Sequence, residues 1–330
     1  MRQPAARGVV RQLTGRAPTR LDFGGGWTDV SPYCDEEGGA VCNIAIARYA
    51  TANVAIGLTT TPLDAHDPLV RAALVRAGIT TATATVSSDV PIGSGLGGSS
   101  AAGVALAGTL AALAGTPLDP AALAERSRRT EVEDLGLAGG FQDHYAASFG
   151  GALLLTYDGC IGVESLAPSV ATCEAIARRG VLLYTGVSRI SASTIAAVSD
   201  AYRARDHDVC AALMRMKSLA VAMAASLRAG DVDALGAQVA EHWVHQRTLH
   251  PTITTERIEA IGHAAAGAGA LGMKALGASA GGCVLVIARD GREAEVARAI
   301  APFGERLHFT IDHVGFDLVP ALMPPGGPEA

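Results

Sequence analysis

Four short stretches concentrate the residues that could do chemistry. The longest is Pro91-Ile92-Gly93-Ser94-Gly95-Leu96-Gly97-Gly98-Ser99-Ser100-Ala101-Ala102, where glycines and serines run straight into an Ala/Leu/Val-rich helix. Without Cβ atoms the backbone N–H groups can close on an anion, and the free N–H groups at a helix start add the positive end of its dipole. The run reads as a phosphate cradle with a nucleotide as its guest, an ordinary capped loop being the alternative. It is not a Walker loop, which needs Gly-Lys-Ser/Thr after its glycines, because no lysine occurs in it. A second stretch, Arg16-Ala17-Pro18-Thr19-Arg20-Leu21-Asp22-Phe23, alternates like a strand, breaks into Gly24-Gly25-Gly26 and delivers Trp27-Thr28-Asp29. A third, Leu137-Ala138-Gly139-Gly140-Phe141-Gln142-Asp143-His144-Tyr145, sets a carboxylate just after a glycine turn. In the fourth, Lys274-Ala275-Leu276-Gly277-Ala278-Ser279-Ala280-Gly281-Gly282-Cys283, a glycine turn enters an apolar strand.

Taken in chain order, with the phosphate cradle second, the four stretches resemble the GHMP small-molecule kinases over residues 16 to 290. Gly25-Gly26-Trp27-Thr28-Asp29-Val30-Ser31-Pro32-Tyr33-Cys34, followed by Gly38-Gly39-Ala40-Val41, is similar to two sister groups, the bacterial heptose 7-phosphate kinases and the fucokinases. Trp27 resembles the fucokinases. Chain length, the Gly-Gly-Phe-Gln-Asp turn, and Thr185-Gly186-Val187-Ser188-Arg189 followed by Ser193 and Ile195 resemble the heptose kinases. The resemblance implies a two-lobed α+β fold with the active site in the cleft between lobes. It also implies ATP as phosphoryl donor, Mg²⁺, and transfer to the anomeric C1 hydroxyl of a sugar. A heptose 7-phosphate is the leading acceptor and a free hexose of the fucokinase kind the runner-up. A catalytically silent nucleotide and sugar sensor is a third reading. Against it stands the joint presence of Ser99, Glu131, Asp143 and Arg20, since a sensor has no need of a base.

Carried onto this chain, the resemblance seats the nucleotide phosphates on Pro91, Gly93, Ser94, Gly95, Leu96, Gly97, Gly98, Ser99 and Ser100. Mg²⁺ takes oxygen ligands, and the resemblance puts the metal-binding serine at Ser99. Ser100 stays as the alternative, because this loop carries one more Gly/Ser-type residue than that of some relatives; helix capping is the other reading. Residues two apart point to nearly opposite sides of a helix, so only one of Glu131 and Glu133 can face the site. The family spacing of twelve residues before Asp143 (143 − 131 = 12) favours Glu131 as metal ligand. Asp143 matches the family's base, with a helix N-cap as its alternative. Arg20 matches an arginine that keeps this base ionised and offsets charge on the transferring group. Asp29, with Thr28 and Gly26, would meet the ring hydroxyls of the sugar, and Trp27 is either a platform for the ring or core. Arg189 would hold a substrate phosphate, or else form a surface ion pair. Gly277 and Gly281 would line the sugar site. Ala278, Ser279 and Ala280 replace part of the usual glycine pattern, so positive φ is expected only at Gly277, Gly281 and Gly282. His242, His245 and His250 lack a carboxylate at ligand spacing, and His242 and His245 read as neighbours of Trp243 on a helix.

The elements that must position these residues are visible in outline. Strands are expected at 17–23, 40–47, 51–57, 81–86, 151–156 and 181–184, with helices from Ser99 and over 119–134. Val209, Leu213, Met216, Ala220, Met223 and Leu227 recur at four- and three-residue steps, one buried helical stripe that Gly230 ends. A second helix carries Leu235, Val239 and Trp243, and Thr254 or Thr255 caps a third running to about Gly267. Strands at 282–288 and 307–318 flank a helix around 293–301. Such blocks form α+β layers, not a βαβ repeat. The boundary falls near 175: residues 1–175 hold the phosphate loop and the base, and 176–330 hold a helical layer over a sheet with the last glycine turn. No internal repeat is visible. Residues 1–15 read as a basic leader or edge strand and 324–330 as a frayed tail.

Composition narrows the class. With 330 residues, 49% of them hydrophobic and 18% charged, the chain can bury a large core. Its 26 basic and 32 acidic residues, net −6, argue against a nucleic-acid or anionic-membrane surface. The expected partner is a small-molecule sugar or sugar phosphate, the protein being a monomer or homodimer. Six cysteines without a CxxC pair read as reduced, mostly buried thiols. The N-terminus lacks the apolar core of a signal peptide, and Arg, Lys and Gly are expected to break the apolar helices before about 20 residues. A cytoplasmic protein is expected.

Overall fold

A computed structural model describes residues 11–57, 67–187 and 192–320. The first half runs β1 (Arg11–Gly24), α1 (Tyr33–Glu37), β2 (Gly39–Ile56), α2 (Pro68–Arg76), β3 (Ala82–Ser88), α3 (Gly98–Ala114) and α4 (Pro120–Arg129). A π turn (Thr130–Asp134), α5 (Gln142–Phe149), β4 (Ala152–Tyr157), β5 (Ile161–Ser165) and α6 (Val170–Arg179) complete it. The second half runs β6 (Gly180–Tyr184), α7 (Ala192–Arg203), α8 (His207–Ala229), α9 (Val232–Gln246), α10 (Glu256–Ala268) and β7 (Ala270–Ala275). It closes with β8 (Cys283–Ala288), α11 (Glu293–Ile300), β9 (Glu305–Leu307) and β10 (Asp317–Val319).

The strands form two antiparallel sheets. The first has the order β10-β1-β2-β4-β5, with β3 also on β2, and the second the order β7-β8-β6-β9. The chain leaves the first sheet through α6, and β10 returns to it. A cut near 175 therefore separates every strand by sheet except β10.

The expected strands 40–47 and 51–57 are one strand, β2. Its first part pairs with β4 and its last part with β3. What looks like a break is a bulge: Pro18 pairs with Tyr49 but Thr19 with Ile46, leaving Ala47 and Arg48 extra. Segment 308–311 serves that bulge. Thr310 O accepts from Ala47 N–H at 2.8 Å and His308 O from Arg48 Nε at 2.8 Å. The expected strand 307–318 accordingly divides into β9 on one sheet and β10 on the other.

One core runs through both sheets. Leu21 and Phe23 of β1 and Ile44 of β2 pack with Ala220 and Met223 of α8, Val239 of α9 and Leu285 of β8. Helix α3 is apolar all round and lies buried, as such a helix must. With 23 residues and an 18-residue window of mean hydropathy 1.4, α8 is long and apolar enough to cross a membrane, contrary to expectation. Arg215 and Lys217 do not end it, because they sit on its outer side while Leu213, Met216, Ala220, Met223 and Leu227 are buried. All six cysteines are free.

Candidate active site

Along β1, residues two apart share a face. Leu21 and Phe23 take the core side, which leaves Arg20 and Asp22 on the side of the cleft. Arg20 joins three pieces there. Its backbone N–H donates to Leu96 O at 3.1 Å, docking the glycine loop on β1. Its guanidinium, 4% exposed, donates through Nη1 to Gly95 O at 2.6 Å. Nε and Nη2 both reach Oδ1 of Asp143, at 2.7 and 2.6 Å. This pairing leaves Oδ2 without an Arg20 contact.

Asp143 sits in the first turn of α5, which begins at Gln142 with Phe141 as its cap, so the N-cap alternative for Asp143 is not met. The glycine loop closes on it. Gly97 has φ 76°, and a Cβ there would lie 3.1 Å from Asp143 Oδ2. At Gly95, φ 77°, a Cβ would stand 2.4 Å from Leu276 O, so only glycine lets the loop touch the 276–277 turn.

Pro91, Gly93, Ser94, Gly95, Gly97, Gly98, Ser99 and Ser100 line one chamber of the cleft. Leu96 does not, being fully buried in the core. Neither serine caps α3, whose N-cap is Gly97 without a side-chain bond. Ser100 is buried and donates from Oγ to Glu131 Oε2 at 3.0 Å, whereas Ser99 lies exposed in the chamber. Burial pushes the Glu131 carboxyl up from its ordinary range; Ser100 pulls it back, Asp143 pushes it further up, and Ser99 pulls it down. Glu133 points away to Arg76, 3.0 Å distant at the surface. The expected helix 119–134 thus ends in the π turn, where the extra residue re-aims Glu131. Behind it, His144 places Nε2 3.3 Å from Glu131 Oε2 and Nδ1 2.9 Å from Ser127 Oγ. Burial, with Arg128 adding to it, pushes His144 down to about 3.

Asp29, Gly26, Trp27, Gly277 and Gly281 line the other chamber, with Arg20 and Asp143 between the two. Asp29 is buried, and its Oδ2 accepts the N–H of Gln142 at 3.1 Å. Burial raises its carboxyl to about 7; the Gln142 amide opposes this, and Asp143 and Asp22 add to it. Trp27, at φ 82°, lines the cleft and also belongs to a buried cluster with Tyr33, Met216 and Trp243. Thr28 is not brought to the cleft. It is fully buried, and its hydroxyl donates to Gly25 O and Ala40 O at 2.7 and 3.0 Å, bracing the turn. Arg189 lies outside the described residues.

Positive φ is not confined to glycines in the last turn, since Ser279 and Ala280 adopt 72° and 69° beside Gly277, Gly281 and Gly282. Tertiary bonds override the local preference: Ala280 N–H donates to Ile253 O at 3.0 Å and Gly282 N–H to Val187 O at 2.7 Å. Ser279→Gly should therefore stabilise the protein by about 0.5–1 kcal/mol in urea unfolding, the left-handed cost less the added chain entropy.

Several residues of the site escaped the sequence. Lys274 of β7, fully buried, donates from Nζ to Asp22 Oδ2 at 2.8 Å, tying the second sheet to β1. Burial lowers Lys274 and Asp22 opposes that shift. Lys274→Met leaves an uncompensated buried carboxylate and is expected to cost about 3–5 kcal/mol in urea unfolding, most of it recovered by adding Asp22→Asn. His242 accepts Gly25 N–H on Nε2 at 2.9 Å and so braces the first glycine turn. Among the described residues, no three or more His, Cys, Asp or Glu side chains gather to hold a metal.

Past Asp29 and the 138–140 turn the cleft continues into a further chamber carrying Arg128, Arg129 and Arg203 with Asp35, Glu125 and Asp200. Glu125 binds both Arg128 and Arg129, and Asp200 binds Arg203.

Two lobes that meet over a glycine-rich loop, with a carboxylate between that loop and a polar pocket, suit a small-molecule phosphotransferase. Residues 67–151 match the GHMP kinases N terminal domain and residues 223–305 the GHMP kinases C terminal domain. The chain belongs to the GHMP kinases. A Mycobacterium bovis galactokinase is 31% identical over 247 residues, 66% of this chain and 67% of its own. A Campylobacter jejuni D-glycero-alpha-D-manno-heptose 7-phosphate kinase is 25% identical over 88% of this chain and 94% of its own. The bifunctional fucokinase/GDP-fucose pyrophosphorylase of Arabidopsis thaliana is 25% identical over 93% of this chain, which spans only 32% of that protein. The crystal structure of a D-glycero-D-manno-heptose 1-phosphate kinase from Bacteroides thetaiotaomicron shares the fold, with TM-score 0.74 and 23% identity over 96% of this chain and all of that one. This two-lobed unit is a phosphotransferase with an alcohol acceptor, a sugar kinase, and the family implies ATP as donor.

Proposed function

We propose that the chain transfers the γ-phosphoryl group of ATP to the anomeric C1 hydroxyl of a heptose 7-phosphate, giving the 1,7-bisphosphate. The observation that carries the reading is the Arg20–Asp143 pair, set between the glycine loop and the Asp29 pocket. In this reading Asp143 Oδ2 accepts the C1 hydroxyl proton while Arg20 holds Oδ1 and keeps the carboxylate ionised. Phosphoryl transfer demands little covalent work of a protein, so alignment of hydroxyl and phosphate supplies most of the rest. Backbone N–H groups of the 93–98 loop would seat the phosphates.

Glu131 and Ser100, with Ser99 beside them, would hold Mg²⁺. One carboxylate and neutral hydroxyls suit a cation that fills its octahedron with phosphate oxygens and water. Ser100 directs its hydroxyl proton at Glu131, which leaves its lone pairs for the cation. When bound, Mg²⁺ supplies neutralisation of phosphate charge.

Asp29 would accept ring hydroxyls, with Gly26, Trp27, Gly277 and Gly281 around the ring. The chamber beyond Asp29 gives room for a seventh carbon and its phosphate, with Arg128, Arg129 and Arg203 as its cations; Arg189 is assigned to the substrate phosphate from the family resemblance alone. Similarity to the Campylobacter kinase along nearly its whole length supports it. The carboxylates of the same chamber favour the second reading, a fucokinase-like enzyme that makes a hexose 1-phosphate from an uncharged sugar. A small-molecule enzyme of net charge −6 fits a cytoplasmic setting without nucleic-acid or membrane partners.

ADP release with ATP, Mg²⁺ and each of heptose 7-phosphate, L-fucose, galactose and mannose tests the choice. The heptose phosphate should lead in kcat/KM by about 100-fold or more, the worth of a charge-assisted phosphate seat. A lead for L-fucose would transfer the assignment to the second reading.

A further inference from the structure

We propose that His144 is a positioning residue for the cation-binding carboxylate, holding Glu131 by one oxygen so that the other faces the phosphate chamber. The inference rests on the assignment of Glu131 and Ser100 to Mg²⁺. Glu131 Oε2 accepts from Ser100 Oγ at 3.0 Å and lies 3.3 Å from His144 Nε2, within reach of an imidazole N–H. Both lie on the same oxygen, so neither contact occupies Oε1.

The proton positions follow from the bonds. A neutral imidazole that turns its Nε2–H to this carboxylate accepts at Nδ1. The donor to Nδ1 is Ser127 Oγ at 2.9 Å, closer than its other acceptor, Ser100 O, at 3.3 Å. Ser127 and His144 are 1% and 2% exposed, so no water competes for these bonds.

A neutral donor suits this place better than a cation. A lysine or arginine on Glu131 would cancel the charge that Mg²⁺ needs, whereas an uncharged imidazole orients the carboxylate and leaves its charge intact. Outer-sphere partners of this kind fix ligand geometry in metal sites. One turn of α5 then serves both halves of the site, Asp143 facing Arg20 and His144 facing Glu131.

The test is Mn²⁺ binding, read from the free-ion electron paramagnetic resonance signal, with a nonhydrolysable ATP analogue. Wild type, His144→Leu, His144→Gln and Ser127→Ala are compared, with melting temperatures recorded for each. His144→Leu should weaken Mn²⁺ at least about tenfold while metal-free binding of the analogue and the sugar KM stay unchanged. His144→Gln, whose amide can still donate to Glu131, should stay within about threefold of wild type, and Ser127→Ala should fall between. If His144→Leu fails to fold, Ser127→Ala carries the comparison. Mn²⁺ affinity within about twofold of wild type in the folded variants overturns the proposal. Absence of Mn²⁺ binding in wild type instead overturns the ligand assignment, and the proposal with it.

Discussion

Asp143→Asn is expected to lower kcat by about 10²–10⁴-fold, the usual worth of a general base. The change is nearly isosteric. An amide oxygen can still accept the two Arg20 bonds that now fall on Oδ1, so the join between β1, the glycine loop and α5 survives. What is lost is the other oxygen, replaced by an NH₂ that donates toward the acceptor hydroxyl where a proton should be taken. ATP affinity, measured by calorimetry, should hardly change, because in the proposed reading the phosphates rest on backbone groups. Residual turnover is expected, since a loose transition state draws much of its stabilisation from alignment and charge. A fall in kcat of less than about tenfold, with the fold intact, would remove Asp143 from the role of base.

Asp29→Asn should divide the molecule's interests. Hydrogen bonds to a charged group are worth about 1.5–3 kcal/mol each, so sugar kcat/KM is expected to drop about 10–150-fold. Stability should move the other way. Burial raises the Asp29 carboxyl from 3.8 to about 7 in the folded protein. Between those values the folded state binds more protons than the unfolded state, so this group's contribution falls as pH rises from about 4 to 7. Asparagine removes the ionisation. The variant's melting temperature should exceed that of wild type by more at pH 8 than at pH 5, and the gap should close below pH 4. An equal gap at pH 5 and pH 8 would show that Asp29 is not raised. An apo protein strained for its ligand is the familiar exchange of stability for function.

What the sequence carried best were features written in neighbouring residues. The 93–98 loop, the glycine turns before Asp29 and Asp143, and the α8 stripe ending at Gly230 depend on local backbone demands, and the described structure has them at those positions. Features set by distant contacts were not legible. Lys274 and Asp22 are 252 residues apart, one the single charge of β7 and the other the single carboxylate of β1. Nothing local says that they meet. The 47–48 bulge resembled a strand break because its partner, segment 308–310, comes from the far end of the chain. Ser279 and Ala280 violate a sound local rule because tertiary bonds hold the turn. The short helices α2, α6 and α7 went unread, as did β7, whose apolar pattern is interrupted by Gly272 and Lys274. At the proposed metal site, spacing pointed to Glu131, but that Ser100 rather than Ser99 is the buried hydroxyl donating to it depends on packing.

³¹P NMR of the purified protein with ATP, Mg²⁺ and D-glycero-D-manno-heptose 7-phosphate tests the central claim most directly. The account predicts a new phosphate signal coupled to the anomeric proton, the 7-phosphate signal retained, and neither ADP nor product at a comparable rate with Asp143→Asn. A phosphate on any other oxygen of the sugar, or one formed only from a free hexose, would contradict it.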